Sequence, residues 1–465
     1  MPLFIDRDTE LAALRARFAR PSSFSLVYGQ RRVGKTWLLQ RLLRDHPGSA
    51  YFLADESTSR HLLARFLADL AAAGILPAGA GIDDWGTALT FACQGAAVVG
   101  RPLRLVLDEC QYLFAAEPAL PSILQRIWDE HRERIGLHLV LCGSALGTLA
   151  RLGDVGQPLH GRFDLRLRLV PFSYREAALF APSWSRAERF RLYGVFGGLA
   201  RHLAEVDPDR SLAENACAAI LDPLAPLHEA VPDLLRTEHL SSRPDADALL
   251  AAIGQGETGF NAISSRAGLS QSRTDYVLKE LLALGLIVRV TRAGDREGSR
   301  YVRYRCADPF TESWYRFVRP NRGALQGTPA EVIWRERIAP GLENRMGPVF
   351  EQVARQAIVS GALSAAVGAV DAAAPWWSRD GQTEIDLVVT AGETHICCEC
   401  KWRGGGRADL DALRQLRAHV ARHPGLGGRS DVRLCLVSGG GFTPRVVQVA
   451  DGEGVLLLGP EGLLP

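Results

Sequence analysis

The sequence predicts a multidomain α/β protein, and three observations carry that expectation. Strand-length apolar runs alternate with helical stretches through the first third, the order that builds a parallel sheet. A helix, helix-turn-helix and hairpin pattern fills residues 245 to about 306. The last third returns to strands, one of them acidic and the next carrying Glu399 and Lys401. A chain of 465 residues has room for several cores. Its 47% hydrophobic and 23% charged content is that of an ordinary globular protein. A net charge of +2 spreads no strong field, so any nucleic-acid surface must be local. No apolar run is long enough to span a bilayer, and the N-terminus is charged at once, unlike a signal peptide. The nine cysteines lie scattered in apolar runs, which suits reduced, buried thiols in a cytoplasmic protein.

Residues 1–23 carry Phe4, Arg7, Glu10 and Leu11 and then a helical stretch to about Ala19. Arg7 and Glu10 either position adenosine or form a solvated first turn. The stretch from Phe24 to Tyr28 is an apolar strand, followed by Gly29-Gln30-Arg31-Arg32-Val33-Gly34-Lys35-Thr36-Trp37, which fits G-x-x-x-x-G-K-[ST] at the mouth of a helix. Small residues let backbone N–H groups converge on phosphate oxygens, and the helix N-terminus adds positive partial charge. Lys35 would reach the β- and γ-phosphates of ATP, and the Thr36 hydroxyl would take an Mg²⁺ position. Of the 54 Lys and Arg residues only Lys35, Lys279 and Lys401 are lysine. A compact ammonium is not replaceable by a planar guanidinium in a tight cradle.

Ala50–Ala54 is a second strand, and helices follow around His61–Ala73 and Trp85–Val99. Arg104–Leu107 is an apolar strand ending in Asp108 and Glu109. Asp108 would hold the Mg²⁺ shell, and Glu109 would orient or deprotonate the attacking water. Gln111 and Tyr112 follow, either at the γ-phosphate side or in packing. Leu137–Ser144 is the next strand; Ser144 is a γ-phosphate sensor or a helix N-cap. Arg162 is an arginine finger, in cis or across a subunit, or a surface cation. Residues 1–172 thus form the nucleotide domain and 173–243 a helical lid, broken at Gly197-Gly198.

Residues 244–319 read as a winged helix whose third helix, Arg273–Leu284, would enter a major groove of DNA. Lys279 on that helix is a solvated position. In the hairpin, Arg289, Arg292, Arg296, Arg300, Arg303 and Arg305 outnumber Asp295 and Glu297, which favours phosphate contacts. A winged helix used only for protein packing is the alternative. Residues 320–335 read as a linker. In residues 336–465, Asp386 precedes a strand on which Glu399 and Lys401 share a face. Two carboxylates bind Mg²⁺, a neighbouring ammonium offsets charge on a scissile phosphate, and Glu351 on the preceding helix could complete the shell. This is the D…E-x-K pattern of a PD-(D/E)xK nuclease core, in a restriction-endonuclease-like α/β domain.

Taken together, Arg7-x-x-Glu10-Leu11, Gly29–Thr36, Leu107-Asp108-Glu109, Cys142-Gly143-Ser144, Gly161-Arg162, Asp386 and Glu399-x-Lys401 resemble the archaeal-type ATPases of the STAND group that carry a C-terminal DUF234 domain. The resemblance spans nearly the whole chain and implies a P-loop ATPase domain, a winged helix and a nuclease-like tail, in that order. At Gly198-Leu199-Ala200-Arg201-His202, where relatives have a Gly-Gly-x-Pro turn, this chain lacks the proline. The expected function is an ATP-hydrolysing switch coupled to a DNA-directed, Mg²⁺-dependent nuclease-like tail. The alternative is a non-nucleolytic, ATP-gated regulator or scaffold that binds DNA or a protein partner. A homo-oligomer is left open.

Overall fold

The computed structural model describes residues 7–464 apart from 145, 241, 297, 405 and 430. Phe4 and Glu297 therefore lie outside the described residues. The chain forms two compact units that divide between Pro171 and Phe172.

The first unit opens with helix α1 (Asp8–Phe18) and strand β1 (Ser23–Gly29), then α2 (Lys35–Arg44), β2 (Ala50–Leu53), α3 (Ser59–Ala72), α4 (Trp85–Val99) and β3 (Leu103–Asp108). It closes with α5 (Cys110–Ala116), α6 (Leu120–His131), β4 (Leu137–Gly143) and β5 (Leu165–Leu169). All five strands are parallel, in the order β2-β3-β4-β1-β5. β4 is buried along its whole length and β1 nearly so, as befits strands covered by helices on both faces. Two of these helices begin where a side chain accepts an orphan N–H group: Thr58 caps α3 and Asp84 caps α4. Phe24, Phe52, Phe66, Trp85 and Trp128 pack in one core with the apolar faces of α3, α4 and α6.

The second unit begins with helices that include Arg186–Phe196 and Ala230–Thr237. Three helices, Pro244–Gly254, Phe260–Ala267 and Gln271–Ala283, precede a hairpin of β6 (Ile287–Thr291) and β7 (Val302–Cys306). A 21-residue helix, Ala339–Val359, leads to a second five-stranded sheet. Its strands are β8 (Ala372–Trp377), β9 (Glu384–Ala391), β10 (Thr394–Lys401), β11 (Val432–Ser438) and β12 (Leu456–Leu458). Their spatial order is the reverse of the chain order, with β8 and β9 antiparallel and β10 to β12 parallel.

Residues 320–335 are not an extended linker. They form short helical turns, and Leu325 and Ile333 are buried in the same core as Phe310, Trp314 and Met346. The Gly- and Pro-rich composition marked the turns and concealed the two apolar anchors. That core runs from Phe172 to Leu464 and is shared by the helices that open the second unit, the three helices and hairpin of residues 244–306, and one face of the last sheet.

The Gly197-Gly198 turn is set by Asp308. Gly197 has φ 70°, and a Cβ there would lie 2.1 Å from the Asp308 carboxylate. The Gly198 N–H donates to Asp308 Oδ1 at 3.0 Å. Burial pushes the Asp308 carboxyl up to about 7, against the N–H donors of Gly198, Thr311 and Phe310. Among the described residues, no helix is long and apolar enough to cross a membrane.

Candidate nucleotide site and carboxylate site

The glycine loop leaves the C-terminal end of β1, where ligands bind in sheets of this kind. At Gly29 a Cβ would sit 2.3 Å from the Leu169 carbonyl oxygen, so only glycine lets β5 approach. Gly34 has φ 102° and is the N-cap of α2, and Arg32 has φ 68°. Val33 is buried, whereas Gln30 and Arg31 are partly exposed. Arg31 donates to the Tyr112 hydroxyl at 2.7 Å. Trp37, on the first turn of α2, is 47% exposed.

Lys35 is buried, and its Nζ donates to the carbonyl oxygens of Gly29 at 2.8 Å and Gln30 at 3.1 Å. Arg7 holds the loop from behind. It bonds Glu10 at 2.8 Å, the Val33 carbonyl at 3.3 Å and the Val170 carbonyl at 2.8 Å. The Arg7–Glu10 pair is thus turned to the loop and the end of β5.

Asp108 and Glu109 follow one another but face different partners. Asp108 is fully buried, and its Oδ2 accepts the Thr36 hydroxyl at 3.0 Å and the Tyr51 hydroxyl. Its Oδ1 takes the Glu109 N–H at 2.8 Å. Glu109 adopts the left-handed conformation, φ 51°, which turns its side chain away. Its Oε2 accepts from Gln111 at 2.5 Å and from Ser144 Oγ at 2.9 Å. Burial and the Asp108 charge hold the Tyr51 hydroxyl well above the usual phenol range, so it stays a donor. Thr36 and Asp108 supply adjacent hard oxygens, which fits Mg²⁺. Sequence reasoning missed Tyr51. The signal lay in strand order, since β2 pairs with β3 and sets Leu53 against Asp108.

Arg162 requires a correction. It binds Asp129 at 2.7 Å and the carbonyls of Pro158 and His160. Asp164, two residues on, bonds the N–H of Phe24 at the start of β1. Arg162 therefore lies at the N-terminal end of β1, the other end of that strand from Gly29, and the length of β1 speaks against an in-cis finger.

In the second unit, β9 and β10 pair antiparallel and bring the predicted groups together. Asp386 Oδ2 accepts the Cys400 N–H at 2.7 Å. Glu399 Oε1 lies 2.6 Å from Lys401 Nζ, which also donates to Gln415 at 3.2 Å. Glu399 is buried, and its Oε2 has no hydrogen-bond partner among the described residues. Glu351, on the Ala339–Val359 helix, is pushed up to about 7 by burial and by the charges of Glu384 and Glu399. Asp386 is held well above the carboxylate range by burial and by Glu351 and Glu399. Like charges gathered with an unpartnered oxygen are a set that a divalent cation would relieve. Even so, no three His, Cys, Asp or Glu side chains among the described residues are arranged to hold a metal ion. The expected Glu351, Asp386 and Glu399 shell is gathered but not assembled, because Lys401 and the Cys400 N–H hold two of its members.

The hairpin also departs from expectation. Arg289, Arg296 and Arg300 are exposed. Arg292 bonds the Trp377 carbonyl, Arg303 pairs with Glu384, and burial holds Arg305 below the usual arginine range. Half of the arginines assigned to DNA phosphates therefore face protein. Lys279 is exposed and pairs with Asp275 at 2.7 Å.

A parallel sheet, a glycine loop at the end of β1 and an acidic β3 define the first unit as a P-loop ATPase domain. Comparison with known families carries this further. Residues 22–178 match an AAA domain, and residues 314–413 match DUF234, described as archaea bacterial proteins of unknown function. The chain thus carries a P-loop ATPase domain of the AAA kind followed by a DUF234 domain. An uncharacterized protein of Methanocaldococcus jannaschii is 24% identical over 408 residues, covering 86% of this chain and 88% of that one. Among solved structures, a Walker-type ATPase of Pyrococcus abyssi shares the fold, with TM-score 0.51 and 17% identity over 67% of this chain and 96% of that one. The ORC2 protein of Aeropyrum pernix, solved with ADPNP and ADP, gives TM-score 0.47 and 16% identity over 69% of this chain and 94% of that one.

Proposed function

We propose that the protein is an ATP-hydrolysing switch whose C-terminal half acts on DNA. The observation that carries the reading is the division of labour between adjacent carboxylates. Asp108 turns to Thr36, and Glu109 turns to Ser144 and Gln111. In this reading the loop from Gly29 to Trp37 cradles ATP, and Lys35 turns from the loop carbonyls to the phosphates. Thr36 and Asp108 would hold Mg²⁺, which supplies charge neutralisation on the phosphate oxygens when bound. Ser144 and Gln111 aim Glu109, which orients the attacking water and takes its proton. Arg7 sets the loop's shape. Arg162 serves only across an interface between two copies of the chain.

The domain scheme belongs to the same proposal: nucleotide domain to residue 172, helical lid to 243, winged helix to 319, nuclease-like domain from 336. Nine buried free cysteines suit a cytoplasmic setting. The exposed face of the Gln271–Ala283 helix, with Arg273, Tyr276 and Lys279, and the exposed Arg289, Arg296 and Arg300 suit a DNA backbone. Asp386 and Glu399 would hold Mg²⁺ beside Lys401, with Glu351 behind them. One observation favours the non-nucleolytic alternative: those carboxylates are not assembled as a metal shell.

The test is ATP turnover, DNA binding and plasmid nicking, measured with and without ATP and Mg²⁺. Glu109→Gln should bind ATP and lose about a hundredfold or more of turnover. Metal-dependent nicking that disappears in Glu399→Gln and Lys401→Ala supports the nuclease-like tail. DNA binding without nicking in any preparation selects the regulator, and loss of ATP binding in wild type refutes the switch.

A further inference from the structure

Charge is divided unevenly within residues 244–306. The three helices, residues 244–284, carry five carboxylates against three cations. The hairpin that follows, residues 285–306, carries six arginines against Asp295 and Glu297. The contacts of these groups sharpen the contrast. Every cation of the helices meets a carboxylate. Lys279 pairs with Asp275 at 2.7 Å and Arg266 with Glu257 at 3.1 Å. Arg273 pairs with Asp245, and Arg243, just before the first helix, with Glu280. The guanidinium carbons of Arg273 and Arg243 also lie 5.4 Å and 5.7 Å from the centre of the Tyr276 ring, which helps to hold both. A phosphate that captures one of these cations strands a carboxylate beside the nucleic acid. That carboxylate takes up a counterion in place of the one the phosphate released, so the exchange adds little to salt-dependent binding.

The hairpin is sorted by side. Arg292 Nη1 donates to the Trp377 carbonyl at 3.1 Å, the Ala293 N–H donates to the Pro375 carbonyl at 2.8 Å, and Arg303 forks onto Glu384. These contacts fix the hairpin on the last sheet. Asp295 is taken by Arg292 at 3.0 Å. Arg289, Arg296 and Arg300 are exposed, and among the described residues no carboxylate pairs with any of them. Arg289 gives one N–H to the Ser299 carbonyl, and the Arg300 guanidinium carbon lies 5.9 Å from the centre of the Tyr301 ring. By formal charge, Glu297 offsets at most one of the three. A phosphate that meets these groups displaces only water and counterions. Resting on the reading that this half of the chain binds DNA, we propose that the hairpin, through Arg289, Arg296 and Arg300, is the ionic grip of residues 244–306 on duplex DNA, and that the charges of the Gln271–Ala283 helix take no part in it. Because the hairpin is already fixed on the sheet, gripping a backbone costs little ordering.

The test measures binding of the full-length, nucleotide-free protein to a short fluorescent DNA duplex by anisotropy, between about 50 and 200 mM salt. Each phosphate contact contributes about 0.9 to the slope of log affinity against log salt. Arg289→Gln, Arg296→Gln and Arg300→Gln should each flatten the slope by about 0.9, and the triple variant by about 2.7. The double variant Asp275→Asn, Lys279→Gln deletes one ion pair of the helix and conserves net charge, so its slope should match wild type. Melting of each variant checks that the fold is intact, and three separate hairpin substitutions keep the decision from resting on one. A wild-type slope that survives the triple variant overturns the hairpin grip while DNA binding stands. Flattening by about 0.9 in the double variant puts Lys279 on a phosphate and overturns the assignment in the same way. No binding of wild type to the duplex at any salt concentration removes the DNA reading and the grip together.

Discussion

Replacing Arg7 with methionine separates a loop-shaping role from a nucleotide contact. Arg7 is 4% exposed and ties the phosphate loop to α1 and to the end of β5. A hydrogen bond from a charged donor is worth about 1.5–3 kcal/mol. The bond to the Val33 carbonyl is long at 3.3 Å, so the lower end applies. Losing about 1.5 kcal/mol of loop preorganisation weakens nucleotide binding about tenfold. The bond to Val170 and the pair with Glu10 bear on folding instead, and Glu10 is partly exposed, so roughly 2 kcal/mol of stability goes with them. Calorimetry with ATP and GTP, alongside thermal melting, reads both effects. A loosened cradle weakens both nucleotides by the same factor. If ATP affinity holds while Tm falls, Arg7 serves the fold alone. A selective loss of ATP over GTP would instead put Arg7 on the base, and the loop-clamp reasoning would be wrong.

Three further outcomes follow from the geometry. Asp308 is buried, with its carboxyl raised to about 7 from an ordinary 3.8. The folded chain therefore binds a proton that the unfolded chain releases, so the stability this group contributes is full below pH 4 and lost as pH rises to 7. That is on the order of 4 kcal/mol, and in Asp308→Asn this part of the pH dependence of denaturant unfolding should disappear. Arg162→Ala should leave ATP turnover of dilute monomer unchanged; a rate loss independent of protein concentration would contradict its position at the end of β1 away from the glycine loop. Tyr51→Phe removes one donor from buried Asp108 and should cost about 1–2 kcal/mol by denaturant unfolding, with Mg²⁺-dependent ATP turnover reduced more than ATP binding without metal.

The glycine loop was legible because Gly29, Gly34, Lys35 and Thr36 act within one turn of chain, and each residue type is demanded by local backbone or phosphate chemistry. The pairing of β9 with β10 was legible because a short turn joins them and side chains alternate. What stayed hidden depends on distant partners. Tyr51 reaches Asp108 only because β2 lies beside β3. Arg303 meets Glu384 across 81 positions, so charge counting assigned it to DNA. The position of Arg162 depends on where β5 begins against β1, which periodicity does not give. Leu325 and Ile333 sit in a stretch whose glycines and prolines read as linker, and only the three-dimensional core shows what they anchor.

The core that runs from Phe172 to Leu464 has a consequence for how this polypeptide can be inherited or cut. A truncation at residue 336 would strip Met346, Val349 and Phe350 of their neighbours and leave a sticky, ill-formed fragment. The junction at Pro171 and Phe172 spares that core, so recombination and engineering alike should treat the portion beyond it as one indivisible cassette.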